Sequence, residues 1–144
     1  MPDPPFNFYD AKSPIYTHGD YLPGSVVRDS TLTDVLLAEG CRIEKAEISH
    51  SVVGIRSQVW TGSRIKDTVL NGSDFYAPEI GVGPNCSIEG AILDKNARVG
   101  EGVVIRPFPR GTELNHDTWF VRDGIVVLPK DTVIPPGTRI APDG

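Results

Sequence analysis

The residues able to do chemistry are few. His18, His50 and His116 are the three histidines. An imidazole-bound catalytic metal needs three such ligands, two of them close in sequence, and no two of these are close. A single loop histidine suffices as a general base. His50 and His116, the latter between Asn115 and Asp117, are the candidates for that role. Cys41 and Cys86 are too few for a metal cluster or a disulfide framework. Gly81-Val82-Gly83-Pro84-Asn85 is glycine-rich, but no basic residue stands near it, and the chain has no Gly-Lys pair. A phosphate-gripping P-loop is therefore excluded. These residues alone assign no catalytic group, no metal and no cofactor.

The chain that must position them has 144 residues, enough for one domain. Hydrophobic residues make up 39% and charged residues 23%, which supports a packed core. Fourteen basic against nineteen acidic residues give a net charge of −5, the wrong sign for a nucleic-acid partner. Gly and Pro together number 15 + 13 = 28, a density that rules out a helical bundle. No apolar run approaches the ~20 residues that cross a bilayer. Met1-Pro2-Asp3-Pro4-Pro5 has neither the basic nor the apolar part of a secretion signal. A cytoplasmic protein with no membrane partner is the expectation.

The strongest pattern is an internal repeat. Aliphatics recur at Leu37, Ile43, Ile48, Val53, Val59, Ile65 and Leu70. They resume at Val82, Ile88, Leu93, Val99 and Ile105, and again at Ile134 and Ile140. Steps of five and six fit neither a helix nor strand alternation. Three residues after an aliphatic stands Gly40, Gly62, Asn85, Asn96, Gly102 or Gly137, types that tolerate positive φ. The next position holds Cys41, Ser63, Cys86, Ala97, Val103 or Thr138, all small or β-branched. Each hexad thus reads as a short extended piece with an inward aliphatic, a corner, and a second inward position with little room. Three such sides close one coil of a triangular prism. Leu37 to Val53 and Val82 to Val99 are each one full circuit. Coils stacked at ~4.8 Å form parallel sheets with continuous inner ladders, and five to six of them are expected. Cys41 and Cys86 fall in the small slot and read as buried structural thiols.

The predicted fold is all-β, a parallel β-helix over 26–144 preceded by an extended arm at 1–25. The arm is rich in proline and aromatics, and either covers this domain or continues from an upstream one. Insertions interrupt the repeat at 71–81, which contains Asp74-Phe75-Tyr76, and at 106–124, which contains His116 and Trp119. In a solenoid such insertions leave a corner, as plain loops or as binding elements. Pro135-Pro136 and Pro142 read as caps on an otherwise open end.

This arrangement resembles the hexapeptide-repeat left-handed β-helix, and the left hand comes from that resemblance. Four runs are more specific. Phe8-Tyr9-Asp10 with Ser13-Pro14-Ile15-Tyr16-Thr17 and Tyr21-Leu22-Pro23 resembles the segment joining the two domains of ADP-glucose pyrophosphorylases (glucose-1-phosphate adenylyltransferases). His50-Ser51-Val52-Val53-Gly54-Ile55-Arg56-Ser57 resembles a coil of their C-terminal domain. Ala91 to Gly100 and Gly124-Ile125-Val126-Val127 continue it in order. The family makes ADP-glucose and pyrophosphate from ATP and glucose 1-phosphate, on an N-terminal nucleotide-binding domain whose Gly-rich loop this sequence does not contain. The resemblance implies an assembly and regulatory role in glycogen or starch synthesis, with no turnover by the isolated chain. It implies a homo-oligomer or a nucleotidyltransferase catalytic domain as partner, and a phosphate or sugar-phosphate effector.

The same resemblance places two effector lysines at Lys95, in Asp94-Lys95-Asn96, and at Lys130, after Val127-Leu128-Pro129. A lysine holds phosphate as a compact point charge, although each also fits a solvated surface residue. His18-Gly19-Asp20 departs from the relatives, which put glutamine and arginine there; Asp20 repels an anion. Two rivals remain beside the pyrophosphorylase part. One is a stand-alone scaffold module of the same fold. The other is a hexapeptide-repeat acyltransferase using His116 as base. A carbonic anhydrase of this fold fails on histidine spacing.

Overall fold

The computed structural model describes residues 24–77 and 79–142. The expected arm, with His18 and Asp20, lies outside the described residues except for Gly24 and Ser25. No helix occurs among the described residues, which form seventeen short strands and their turns. They build a three-sided prism.

Face 1 stacks Val26–Arg28, Arg42–Glu44, Gln58–Val59, Gly81–Val82, Arg98–Val99 and Val133–Ile134, every neighbour parallel. The second sheet wraps around a corner and supplies the other two sides. Thr31–Leu37 and Glu47–Val53 run through that corner, bending at Asp34 and His50, whose φ values are 54° and 48°. In later coils the strand breaks there, at Asp67 and Gly90. Face 2 continues with Arg64–Lys66, Ser87–Glu89, Val104–Ile105 and Arg139–Ile140. Face 3 continues with Val69–Leu70, Ala91–Leu93 and Ile125–Leu128.

Register turns the period into ladders. Ile43, Val59, Val82, Val99 and Ile134 stack inside face 1. Ile48, Ile65, Ile88, Ile105 and Ile140 line face 2, and Val53, Leu70, Leu93 and Leu128 line face 3. All of these are buried. Leu37 differs. It shares the first coil with Val27 and Leu32, and the three are only partly buried because no described coil stacks above them. The corner residues adopt the expected backbone: Gly40, Gly62, Asn85, Asn96, Gly102 and Gly137 all have φ between 57° and 83°. In the small slots, Cys41 donates its thiol to the Gly54 carbonyl at 3.1 Å and Cys86 to that of Gly100 at 3.0 Å. Each thiol thereby ties its small slot to the corner of the following coil, where the Gly54 carbonyl also accepts from the Ser57 hydroxyl at 2.7 Å.

The two insertions behave differently. Residues 71–80 leave the corner between faces 3 and 1 and return at Gly81, which is already a strand residue. The second insertion is more than a loop. Within it Leu114–Asn115 and Phe120–Arg122 form an antiparallel hairpin, and Phe120–Arg122 pairs antiparallel with Ile125–Leu128. The hairpin takes the sixth place on face 3 and sends Val121 into the core, fully buried beside Val126. It thus completes face 3 at the end where the prolines were expected as caps. Pro135 and Pro136 form an exposed corner of the last coil.

Candidate functional site

Lys95 and Lys130 occupy equivalent places in successive coils. Leu93 pairs with Leu128, and each lysine follows two residues later, at the corner between faces 3 and 1. Each is followed by a residue with positive φ, Asn96 at 63° and Asp131 at 64°. The N–H of Asp131 donates to the carbonyl of Lys95 at 3.0 Å, which locks one corner over the other. Strand pairing across the second insertion thus brings the two lysines side by side.

The 71–80 insertion sets a carboxylate between them. Lys95 Nζ lies 3.3 Å from Asp74 Oδ1, and Lys130 Nζ lies 3.8 Å from Asp74 Oδ2. Asn96 donates its amide to Asp74 Oδ2 at 3.1 Å, and the Asp74 N–H donates to Asn96 Oδ1 at 2.9 Å. The Asn96 hydrogen bond, then that of Lys95, hold the Asp74 carboxyl below the ordinary aspartate range against an opposing desolvation, with lesser help from the charges of both lysines. Asp94 accepts from the Lys95 N–H at 2.7 Å and from the Asn71 amide at 3.2 Å, which fixes the start of the corner. Further along, Arg56 donates to the Ser73 carbonyl at 3.0 Å and the Tyr76 hydroxyl to the Gly40 carbonyl at 2.9 Å. The insertion is thus strapped down one corner, from the first coil to the fifth.

All three charged side chains remain roughly half exposed. Each ammonium carries three donors, and Asp74 uses only part of them. An incoming anion can share the lysines with Asp74 or displace it. Nothing in the sequence joins Asp74 and Asn96 to the two lysines. Their signals were an acidic residue in an insertion and an asparagine in a positive-φ slot; the contact between them is not written in either.

The histidines do not form a comparable site. His50 sits on the corner between faces 2 and 3, exposed, with Nδ1 2.7 Å from Asp67 Oδ1. His116 stacks on Trp119 in the hairpin, ring centroids 4.6 Å apart and planes 7° apart. Among the described residues, no three of His, Cys, Asp and Glu converge as a metal would require. Burial pushes the Cys41 and Cys86 thiols up, the direction opposite to that of a reactive thiolate. No helix of the described residues is long and apolar enough to cross a membrane.

Residues 20–139 match the model of the GLGC left-handed parallel beta-helix domain. The chain belongs to this family. The hand of the prism follows from that membership. The chain is also 42% identical, over 154 aligned positions, to the chloroplastic/amyloplastic small subunit of glucose-1-phosphate adenylyltransferase from Triticum aestivum. That alignment covers 96% of this chain and 33% of the wheat protein. The GLGC-type domain described here therefore spans about a third of the length of that relative, and is homologous to its β-helix part.

Proposed function

We propose that this β-helix serves as the assembly and regulatory part of a glucose-1-phosphate adenylyltransferase, the enzyme that makes ADP-glucose and pyrophosphate from ATP and glucose 1-phosphate for glycogen or starch synthesis. Its partners are further copies of itself or a nucleotidyltransferase catalytic domain, and its setting is the cytoplasm. Lys95 and Lys130 are its anion-sensing pair, with phosphate or a sugar phosphate as effector. The observation that carries the anion reading is the meeting of both ammonium groups on one Asp74 carboxylate. Asp74 holds the place of a ligand oxygen and offsets one of the two positive charges, so the cluster keeps a net positive charge for an incoming anion.

Phosphate titration of the chain, followed by NMR of the lysine side chains, tests this. Lys95→Ala and Lys130→Ala should each weaken binding, and Asp74→Asn should strengthen it by removing the competitor. Unchanged affinity in both lysine variants overturns the anion reading. Asp74 also supports one alternative, a scaffold module in which it has permanently replaced a ligand. In that case Asp74→Asn creates no phosphate binding.

A further inference from the structure

Asn71 is the one asparagine of the sequence that precedes a glycine. The fold explains why Gly72 is there. Its φ is 90°, and a Cβ would overlap the Ile55 carbonyl oxygen in the preceding coil. Gly72 is pinned on both sides. Its carbonyl accepts from the Asn96 N–H at 3.0 Å, and the next N–H, that of Ser73, donates to the Ile55 carbonyl at 2.9 Å. Its own N–H has no acceptor among the described residues. Asn71 is exposed, at the point where the first insertion leaves face 3. Its side-chain amide donates to Asp94 Oδ1 at 3.2 Å. That same oxygen accepts from the Lys95 N–H at 2.7 Å. An exposed amide, an unbonded N–H one residue on and no Cβ to bar the approach thus meet beside Lys95.

We infer that Asn71 and Gly72 form a self-modification site, at which the amide converts to a carboxylate and adds a negative charge to the lysine corner. The Gly72 nitrogen attacks Asn71 Cγ. The new N–Cγ bond closes a five-membered imide, and Nδ2 leaves as ammonia with the Gly72 proton. Water then opens the ring. Addition at Cγ gives an aspartate at position 71; addition at the main-chain carbonyl gives its isoaspartyl isomer, with one extra carbon in the backbone. No oxidant or reductant takes part. Asparagine is among the chemically labile side chains. The other described asparagines lack the arrangement. Asn85, Asn96 and Asn115 are followed by Cys86, Ala97 and His116, whose Cβ atoms crowd the attack, and Asn96 is buried. The consequence falls on the site proposed above, and the inference rests on that reading for its effect on anions. A donor 3.2 Å from Asp94 becomes a second ionised acceptor, so two carboxylates face each other. Asp94 loses the Asn71 bond, and the corner that it fixes through the Lys95 N–H loosens. The added charge also competes for the ammonium groups that hold phosphate. The chain thereby carries a slow, one-way damper on its own anion corner.

Peptide mass mapping of the full chain, held folded in mildly alkaline buffer, tests this. The peptide with Asn71 should gain about one mass unit while those with Asn85, Asn96 and Asn115 stay unchanged. Asn71→Gln, whose longer side chain needs a larger ring, should not convert. Asn71→Asp supplies the product directly. It should bind phosphate about two- to fivefold more weakly than Asn71→Gln, the size of one exposed charge pair, and should unfold roughly 2–4 °C lower. Retention of the Asn71 amide in the folded chain overturns the inference, whatever the urea-unfolded chain does. An Asn71→Asp protein whose phosphate affinity equals that of Asn71→Gln overturns it too. The mass and unfolding readouts do not involve phosphate. If the fresh chain binds none, the anion reading falls and the modification site is judged by these two: conversion with the unfolding shift upholds it, and the lack of either overturns it.

Discussion

Asp74 and Asn96 hold each other by two reciprocal hydrogen bonds, 2.9 Å from the Asp74 N–H to Asn96 Oδ1 and 3.1 Å from Asn96 Nδ2 to Asp74 Oδ2. This pair ties the first insertion to the corner that bears Lys95. Asn96 has φ 63°, so glycine can replace it without disturbing the backbone. In Asn96→Gly the Asp74 carboxyl should titrate closer to the ordinary value of ~3.9 than it does in the wild type. Carboxyl-detected NMR reads both midpoints. The sign for stability follows from the depressed folded value. The contribution of Asp74 is present above its unfolded pKa and is lost as pH falls through the lower folded one. Asn96→Gly should therefore flatten the acid limb of the stability curve; equal midpoints in both proteins would contradict this.

The inner ladders predict steep costs for lost methyl groups. Ile65 is buried between Ile48 and Ile88 on face 2. Ile65→Ala should cost about 2–5 kcal/mol and Ile65→Val about 0.5–1.5 kcal/mol in urea unfolding. A loss below the lower bound for Ala would mean that the neighbouring rungs collapse into the space.

Two glycines should fail for different reasons. A Cβ at Gly54 would lie 2.6 Å from the Leu70 carbonyl oxygen in the next coil, where backbone cannot yield. Gly54→Ala should cost about 1–3 kcal/mol through this overlap. At Gly102 the space is open, but φ is 74°. Gly102→Ala should cost about 1–2 kcal/mol through backbone strain alone. Gly102→Asn should recover part of that loss and Gly54→Asn none, as read by thermal unfolding.

Cys41 and Cys86 should resist alkylation in the folded protein and react only on unfolding. Desolvation is the main cause that raises both thiols, and each already donates to a carbonyl. Since the folded state keeps these protons, their stabilising effect is full below the unfolded thiol pKa, ~8.5, and is lost as pH rises through the folded values. Stability measured from neutral pH into alkali should fall in that window. Prompt labelling of either thiol in native buffer would contradict the burial.

The sequence alone determined the prism. A side chain that must face inward every fifth or sixth residue, followed by a corner that needs Gly or Asn, is a local requirement, and each hexad states it independently. Stacking then makes each coil the template for the next, so Ile43 meets Val59 and Ile48 meets Ile65 because each spacing equals one circuit. Lys95 meets Lys130 because the chain rejoins face 3 at Ile125–Leu128 after the second insertion, a pairing that the spacing does not state. Only the tertiary structure decided what the two insertions do, since a segment that leaves the repeat leaves its register too. That Asp74 returns to lie between the lysines, and that Phe120–Arg122 supplies the sixth strand of face 3 and sends Val121 into the core, depends on the path of the chain through space. The outer residues Leu36, Val52, Val69, Ile92 and Val127 of face 3 lie between these cases: they are legible as aliphatics, but their alignment on one side follows from strand pairing, which sets Leu36 over Val52 and Ile92 over Val127.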